Sequence, residues 1–149
     1  MANHFLGGWN IGNIVSVQDG YPFTPGWAGD VANTGRGSRP NRTCDGKLSD
    51  PTIDRWFDTS CFGAPTPFTY GNSGRNILRG PGFFNWDTGV YKDFHLIEQW
   101  RLQFRSEFFN LFNHANFGLP AATINSGTPG VISSAAPGRI IQFAMKLYF

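Results

Sequence analysis

The carboxy-terminal stretch RIIQFAMKLYF alternates between apolar side chains and side chains that are polar, small or amphipathic. The apolar members all occupy odd positions: Ile141, Phe143, Met145, Leu147 and Phe149. Strict alternation predicts a strand whose two faces contact different surroundings. Because the stretch finishes on a large aromatic side chain with no polar tail, its apolar face suits lipid better than a soluble core. It therefore predicts one strand of a membrane-spanning β-barrel.

Composition favours a chain of strands and loops. The 19 glycines and 10 prolines fall mainly between the apolar stretches. No apolar run reaches the roughly 18 residues that a transmembrane helix needs. The net charge of +2 is too small to indicate a nucleic-acid partner. Since the start MANHFLGGWN lacks the pattern of a signal peptide, we expect this exported chain to be a piece of a longer one.

Alternation predicts an all-β fold, an antiparallel up-and-down meander of about four strands over residues 5–18, 84–96, 100–112 and 139–149. The third segment also has apolar residues at helical spacing from Phe104 to Phe112, so a helix is the rival interpretation. Alternation from Trp100 to Glu107 favours the strand. In the second segment Lys92 falls on the apolar face, which predicts either a bulge or a lysine that extends to the membrane interface.

The connections differ greatly in length. Residues 19–82 and 113–138 form long connections, whereas residues 97–99 form a short one. Bacterial barrels have short periplasmic turns and longer extracellular loops. We therefore expect the two long connections to be extracellular and the short turn to be periplasmic.

The opposite strand faces carry a polar row that is suited to a water-filled lumen. Its predicted members are Asp87, Arg101, Gln103, Arg105, Glu107 and Lys146. We expect these charges to neutralise one another across strands rather than to mark a substrate site.

Five blocks in order carry a specific resemblance: GGWNIGNIVSVQDGYPFTP, DRWFDTSCF, YGNSGRNILRGPGFFNWDTGVYKDF, QFRSEFFNLFNHANFG and RIIQFAMKLYF. Together they resemble the carboxy-terminal end of TonB-dependent outer-membrane receptors of the Oar-like group, which carry a carboxypeptidase-regulatory-like domain. The resemblance implies a barrel of about 22 strands in the bacterial outer membrane, with a plug and with TonB-driven uptake of a scarce siderophore, oligosaccharide or peptide. Plug and TonB box are absent from this chain, so TonB would be contacted only through missing amino-terminal parts. We expect no transport by this piece alone.

The terminal strand also resembles the β-signal that the barrel-assembly machinery reads. Gln142, Ala144, Leu147 and Phe149 match that pattern, with Ala144 where glycine is usual. The alternative is that Phe149 merely packs at the end of a core strand.

Cys44 and Cys61 are the only cysteines, and both lie in the first long connection. A disulfide is the favoured interpretation for two thiols in an exported loop. Two free buried thiols are the alternative, favoured if the chain is made in a reducing cytosol.

No residue pattern indicates an enzyme or a cofactor. The three histidines are isolated, and none stands in a metal-ligand motif. Arg36, Arg39 and Arg42 form a basic patch that fits a solvated loop better than an anion site. A soluble all-β ligand-binding, carbohydrate-binding or adhesive module is the alternative to a transporter piece, and dependence on detergent distinguishes the two.

Overall fold

The computed structural model describes residues 7–97 and 99–149. The chain divides into two compact units. We call the first the sheet unit; it comprises Met1–Gln18, Phe83–Asn116 and Pro137–Phe149. We call the second the loop unit; it comprises Asp19–Gly82 and Phe117–Ala136. The start of the first predicted strand, at residues 5 and 6, lies outside the described residues.

The sheet unit is built from long strands in sequential antiparallel order. These strands are β1 (Trp9–Gln18), β6 (Phe83–His95), β7 (Arg101–Phe109) and β8 (Ile140–Tyr148), paired in the order β1-β6-β7-β8. The predicted all-β meander is thus confirmed. Among residues 7–97 and 99–149 there is no helix with the length and apolarity to cross a membrane.

The register gives the sheet one apolar and one polar face. Trp9 pairs with Lys92, Lys92 with Phe104, and Phe104 with Met145, so these four side chains share a face. Directly paired residues in a sheet point to the same side, and the side alternates along each strand. The apolar face collects Ile11, Val15, Val17, Phe84, Trp86, Val90, Phe94, Leu102, Phe108, Ile141, Phe143 and Leu147. Much of it is open to the surroundings: Met145 is 73% exposed.

The third strand is shorter than its sequence pattern predicts. β7 ends at Phe109, and Asn110 follows with a φ of 53°. Asparagine tolerates this left-handed conformation better than most residues, and it breaks both strand and helix. Residues 110–112 therefore leave the sheet, and Phe112 folds back so that its ring lies 5.6 Å from Trp86. The rival helix from Phe104 to Phe112 is not present.

Lys92 lies on the apolar face without a bulge. Pairing runs unbroken from Trp9–Lys92 to Gln18–Phe83, so the bulge interpretation is wrong. The side chain is only 2% exposed, and its ammonium group lies 5.2 Å from the Trp9 ring and 5.5 Å from the Phe94 ring. It also donates to the carbonyl oxygen of Gly7. The charge is thus surrounded by aromatic faces and a carbonyl, which stabilise a cation away from water.

The loop unit has a hydrophobic core of its own. Its regular elements are β2 (Pro22–Phe23), β3 (Asn41–Arg42), β4 (Phe62–Gly63), β5 (Leu78–Arg79) and a 3-10 turn at Thr59–Cys61; β2 pairs with β5 and β3 with β4. The buried core comprises Phe23, Phe57, Cys61, Phe62 and Leu78, with Trp56, Ile77, Ala122 and Ile124 packed against it. The two long connections, predicted as loops, therefore hold a compact fold.

Backbone hydrogen bonds join the two segments of the loop unit. The Gly26 amide donates to the Ala122 carbonyl at 2.9 Å, and the Ile124 amide donates to the Gly26 carbonyl at 2.9 Å. Further along, the Ile132 amide donates to the Ile53 carbonyl at 2.7 Å. Satisfying buried backbone groups in this way lets a segment rich in glycine and proline fold without long strands.

A disulfide joins Cys44 to Cys61, seventeen positions apart in the sequence. Cys61 is buried in the core of the loop unit beside Phe62. Because Cys44 is exposed, the bond joins a surface residue of the first segment to the buried core.

Replacing both cysteines by alanine is expected to destabilise the loop unit by about 3 kcal/mol, the loop-closure entropy of a crosslink of this span. The sheet unit should keep its stability. Proteolysis of the loop unit, compared between the variant and its parent, measures the effect. Equal cleavage rates would show that the bond is dispensable.

Candidate functional site

The polar face of the sheet carries every member of the predicted lumen-facing row. Arg101, Gln103, Arg105 and Glu107 alternate along β7, and Lys146 pairs with Gln103 across to β8. Asp87 lies on the same face of β6, two positions from Gly89, which pairs with Glu107. All six side chains therefore lie on one face of the sheet, as the alternation in the sequence indicates.

A small network is centred on Glu107. Its carboxylate accepts from Arg105 Nη2 at 2.7 Å and from the Tyr91 hydroxyl at 3.2 Å. The Arg105 guanidinium lies 5.0 Å from the Tyr91 ring. The ion pair runs along β7 itself, whereas the tyrosine supplies the contact across strands. Neutralisation across strands was predicted for the charges, and in this cluster a neutral side chain makes that link.

Tyr91 also covers a glycine on its own strand. A Cβ atom at Gly89 would lie 2.3 Å from the Tyr91 hydroxyl oxygen, so any larger side chain there would displace the ring. Gly89 pairs with Gly12 on β1, which leaves a flat patch of backbone beneath the ring. An aromatic ring placed over a glycine shields exposed backbone and helps to fix the register.

The remaining polar residues are held by further contacts. Gln103 Nε2 donates to the Asp93 carboxylate at 3.0 Å across the β6–β7 pair. The ring of Tyr148 lies 4.3 Å from the Arg101 guanidinium and 4.7 Å from the Lys146 ammonium group. Polar side chains and rings therefore link three strands on this face.

Asp87 has a local structural role. Its carboxylate accepts from the Asn110 amide at 2.9 Å and from Asn85 Nδ2 at 2.8 Å. It therefore satisfies the backbone where β7 ends. No group of three or more His, Cys, Asp or Glu side chains suited to a metal ion occurs among the described residues.

Aromatic rings mark both ends of the apolar face. At one end Trp100 lies 5.6 Å from Phe149. At the other end Phe112 lies 6.2 Å from Phe84 and 5.6 Å from Trp86. Two aromatic girdles around an apolar band are the usual surface of a transmembrane barrel. Between the ends, Asn13 accepts hydrogen bonds from Trp86 Nε1 at 3.0 Å and from the Thr88 hydroxyl at 2.9 Å, which satisfies its carbonyl oxygen on this face.

The four residues of the predicted assembly signal lie on the terminal strand and just beyond it. Gln142 and Ala144 share the polar face, and Leu147 lies on the apolar face. Phe149 follows β8 and is 85% exposed, apart from its contact with Trp100. Within the described residues β8 pairs with β7 alone, so its other edge is open.

A family model described as outer membrane beta barrel domain matches residues 1–142. The chain belongs to this family. It therefore carries an outer-membrane β-barrel domain, and its sheet, with one apolar and one polar face, has the pattern that such domains present to lipid and to water. Searches of curated proteins and of solved structures found no match.

Sequence reasoning missed several residues of this β-barrel domain. Tyr91 and Gly89 contribute to the polar face but were not identified as site residues. A tyrosine two positions after a glycine in an alternating strand was the available signal for the covered glycine, because both residues must share a face. Asn110 could have been recognised as a strand stop, since asparagine favours turns.

Proposed function

We propose that this chain forms the closing strands of a TonB-dependent outer-membrane transporter that takes up a scarce ligand. The observation that carries the proposal is the combination of a lipid-suited sheet with large connections at one end only. Gln18 pairs with Phe83, and Phe109 pairs with Ile140, so both long connections leave and rejoin the sheet at the same end. At the other end β6 and β7 are joined by the short link 96–100. This asymmetry is that of bacterial barrels, with long extracellular loops and short periplasmic turns.

A larger barrel is required by the open edges of the sheet. In the described residues β1 and β8 each have one neighbour. Within a membrane an unpaired strand edge leaves backbone groups unsatisfied, and only closure removes it. Four strands are too few to close, whereas transporters of this class use about 22. Additional strands must therefore pair with these two edges.

The soluble ligand-binding or adhesive module is the less favoured alternative. Its interior would have to cover Ile11, Phe143 and Met145, all of which are exposed on the apolar face. Lipid covers such a band directly. The family match to an outer-membrane barrel domain also favours a membrane protein over a soluble module.

Cysteine labelling tests the orientation. Both native cysteines are in a disulfide, so the parent should give no background with a membrane-impermeant maleimide. Thr128→Cys and Gln99→Cys place single thiols at exposed positions, one in the loop unit and one in the short link. We expect Thr128→Cys to react in intact cells and Gln99→Cys to react only after the outer membrane is permeabilised. The reverse pattern would overturn the proposed topology.

Uptake tests the transport role itself. A strain lacking the complete gene should be compared with its parent for accumulation of labelled ferric citrate, a maltohexaose and a pentapeptide. Transport coupled to TonB should make one of these accumulate only in the parent, and a protonophore should abolish the difference. Unchanged uptake of all three probes in the deletion strain would contradict the transporter proposal.

A further inference from the structure

A cleft of about 400 Å³ opens in the loop unit between two arginines and a tyrosine. It is lined by Arg36, Gly37, Arg39, Tyr70 and Gly71. Two guanidinium groups and a phenol supply many hydrogen-bond donors. Gly37 and Gly71 add no side chain to this lining.

In the part of the chain that the structure describes, no carboxylate forms an ion pair with Arg36 or Arg39. Among the described residues of the loop unit, the one ion pair is Arg55 with Asp58. Asp30 and Asp45 are the acidic residues nearest to the arginines of the cleft along the chain. The Asp30 carboxylate accepts from the Thr34 amide at 3.0 Å and also from the Gly35 amide, and the Asp45 carboxylate accepts from the Lys47 amide at 3.0 Å. The Thr34 amide is the main cause of the lowered pKa of Asp30. Each carboxylate thus bonds to its own turn, and neither forms an ion pair with the arginines of the cleft.

The walls of the cleft are fixed by contacts between residues 39–42 and residues 70–73. The Ser73 amide donates to the Pro40 carbonyl at 3.1 Å. The Arg42 amide donates to Asn72 Oδ1 at 2.6 Å, and the Asn72 amide donates to Asn41 Oδ1 at 3.2 Å. These hydrogen bonds join the two segments side by side, so both walls are held in a defined position.

Gly71 makes this close approach possible. A Cβ atom there would lie 2.1 Å from the carbonyl oxygen of Arg39, an overlap that only backbone movement could relieve. The neighbouring Tyr70 is fixed by a 2.8 Å hydrogen bond between its hydroxyl and that of Thr34. The close backbone contact and this hydrogen bond therefore hold Arg39 and Tyr70 at the same cleft.

We infer that this cleft binds a small oxyanion, the carboxylate, sulfate or phosphate group of a ligand. Arg36 and Arg39 supply the charge, and their planar guanidinium groups match an oxyanion through two hydrogen bonds each. Tyr70 forms the polar wall of the same opening. The sequence alone favoured a solvated basic loop; the cleft, the lack of a carboxylate partner and the rigid walls favour a binding site. The inference holds whether or not the chain belongs to a transporter.

Calorimetric titration of the full chain in detergent tests the inference. Sodium phosphate, sulfate and citrate are the three probes, and they distinguish the sources of the oxyanion. Because the cleft is exposed, we expect saturable binding of at least one probe with a Kd of about 1 mM. The affinity should fall as salt is added, since exposed charges are screened.

Two variants separate a built site from general positive charge. Arg36→Gln combined with Arg39→Gln should weaken binding at least tenfold, a loss of about 1.4 kcal/mol. Arg75→Gln is the matched control, because Arg75 is an exposed arginine of the same unit outside the cleft. The Kd of this control should stay within about twofold of the parent's Kd, well below the tenfold change expected of the double variant.

Three results would overturn the inference. The first is that the parent chain binds none of the probes saturably. The second is that Arg75→Gln weakens binding as much as the double variant. The third is that the double variant binds as the parent does. Circular dichroism of each variant in the same detergent verifies that the compared proteins are folded.

Discussion

A Phe149→Ser variant of the complete receptor to which we assign this chain is expected to reach the outer membrane at low levels and to be degraded in the periplasm. The ring is 85% exposed and contacts Trp100, so it contributes little to packing within the sheet. Burial of an apolar side chain of this size is worth about 1.5–3 kcal/mol, and much of that area remains open here. Refolding of the variant in detergent should therefore be close to that of the parent. Surface levels, measured by labelling intact cells, should fall far more than stability, because the terminal strand must be captured before a barrel can close.

Phe143→Ser provides the matched control for this effect. Phe143 lies on β8, the strand that Phe149 directly follows, and its side chain is also exposed. It is not one of the four residues that match the assembly signal. If both variants assemble equally well, or fail equally, the ring of Phe149 acts as an ordinary apolar side chain and not as a recognition element.

Phe57→Ala should produce the largest loss of stability in the loop unit. Phe57 is 1% exposed, and its ring lies 5.6 Å from Phe23 and 5.9 Å from Phe62. Truncating a buried phenylalanine typically costs about 3–5 kcal/mol, because a cavity replaces its contacts. Hydrogen exchange at the amides of Ile124 and Ile132, which bond to the first segment, should report this loss. Amides of β7 should be unchanged.

Phe68→Ala is the control for that measurement. Phe68 belongs to the same unit, but its side chain is 79% exposed. Its truncation should change the free energy of opening, measured by hydrogen exchange at Ile124 and Ile132, by less than about 0.5 kcal/mol, as is usual for exposed positions. Equal effects from both variants would show that Phe57 is not the centre of the core.

The sheet could be predicted because alternation is a local signal. From Trp100 to Glu107, every second residue faces the same side, and no distant contact is needed to infer it. Lys92 shows the limit of this approach. Its place on the apolar face followed from the alternation, but its position beside the Trp9 ring depends on the pairing of two residues that are 83 positions apart in the sequence.

The loop unit could not be predicted, because its order comes from contacts between distant residues. Phe23, Phe57 and Leu78 stand in stretches without periodicity, and they meet only in the fold. The two cysteines were the one local sign that the long connection has a fixed shape. The cleft around Arg36 depends on Gly71, a residue that looks like any other turn glycine in the sequence.

The loop unit is built from two segments that are far apart in the sequence, and this implies an order of folding. The Ala28 amide bonds to the side chain of Asn125, 97 positions away. Closing a span of that length costs about 4 kcal/mol of chain entropy, unless other structure first brings the ends together. Pairing of β6 with β7 and of β7 with β8 does this, so the sheet should form before the second segment docks. The Cys44–Cys61 bond lies within the first segment and has no need to wait. Oxidation should therefore come early, and the contacts of Ala122 and Ile124 should be the last to form.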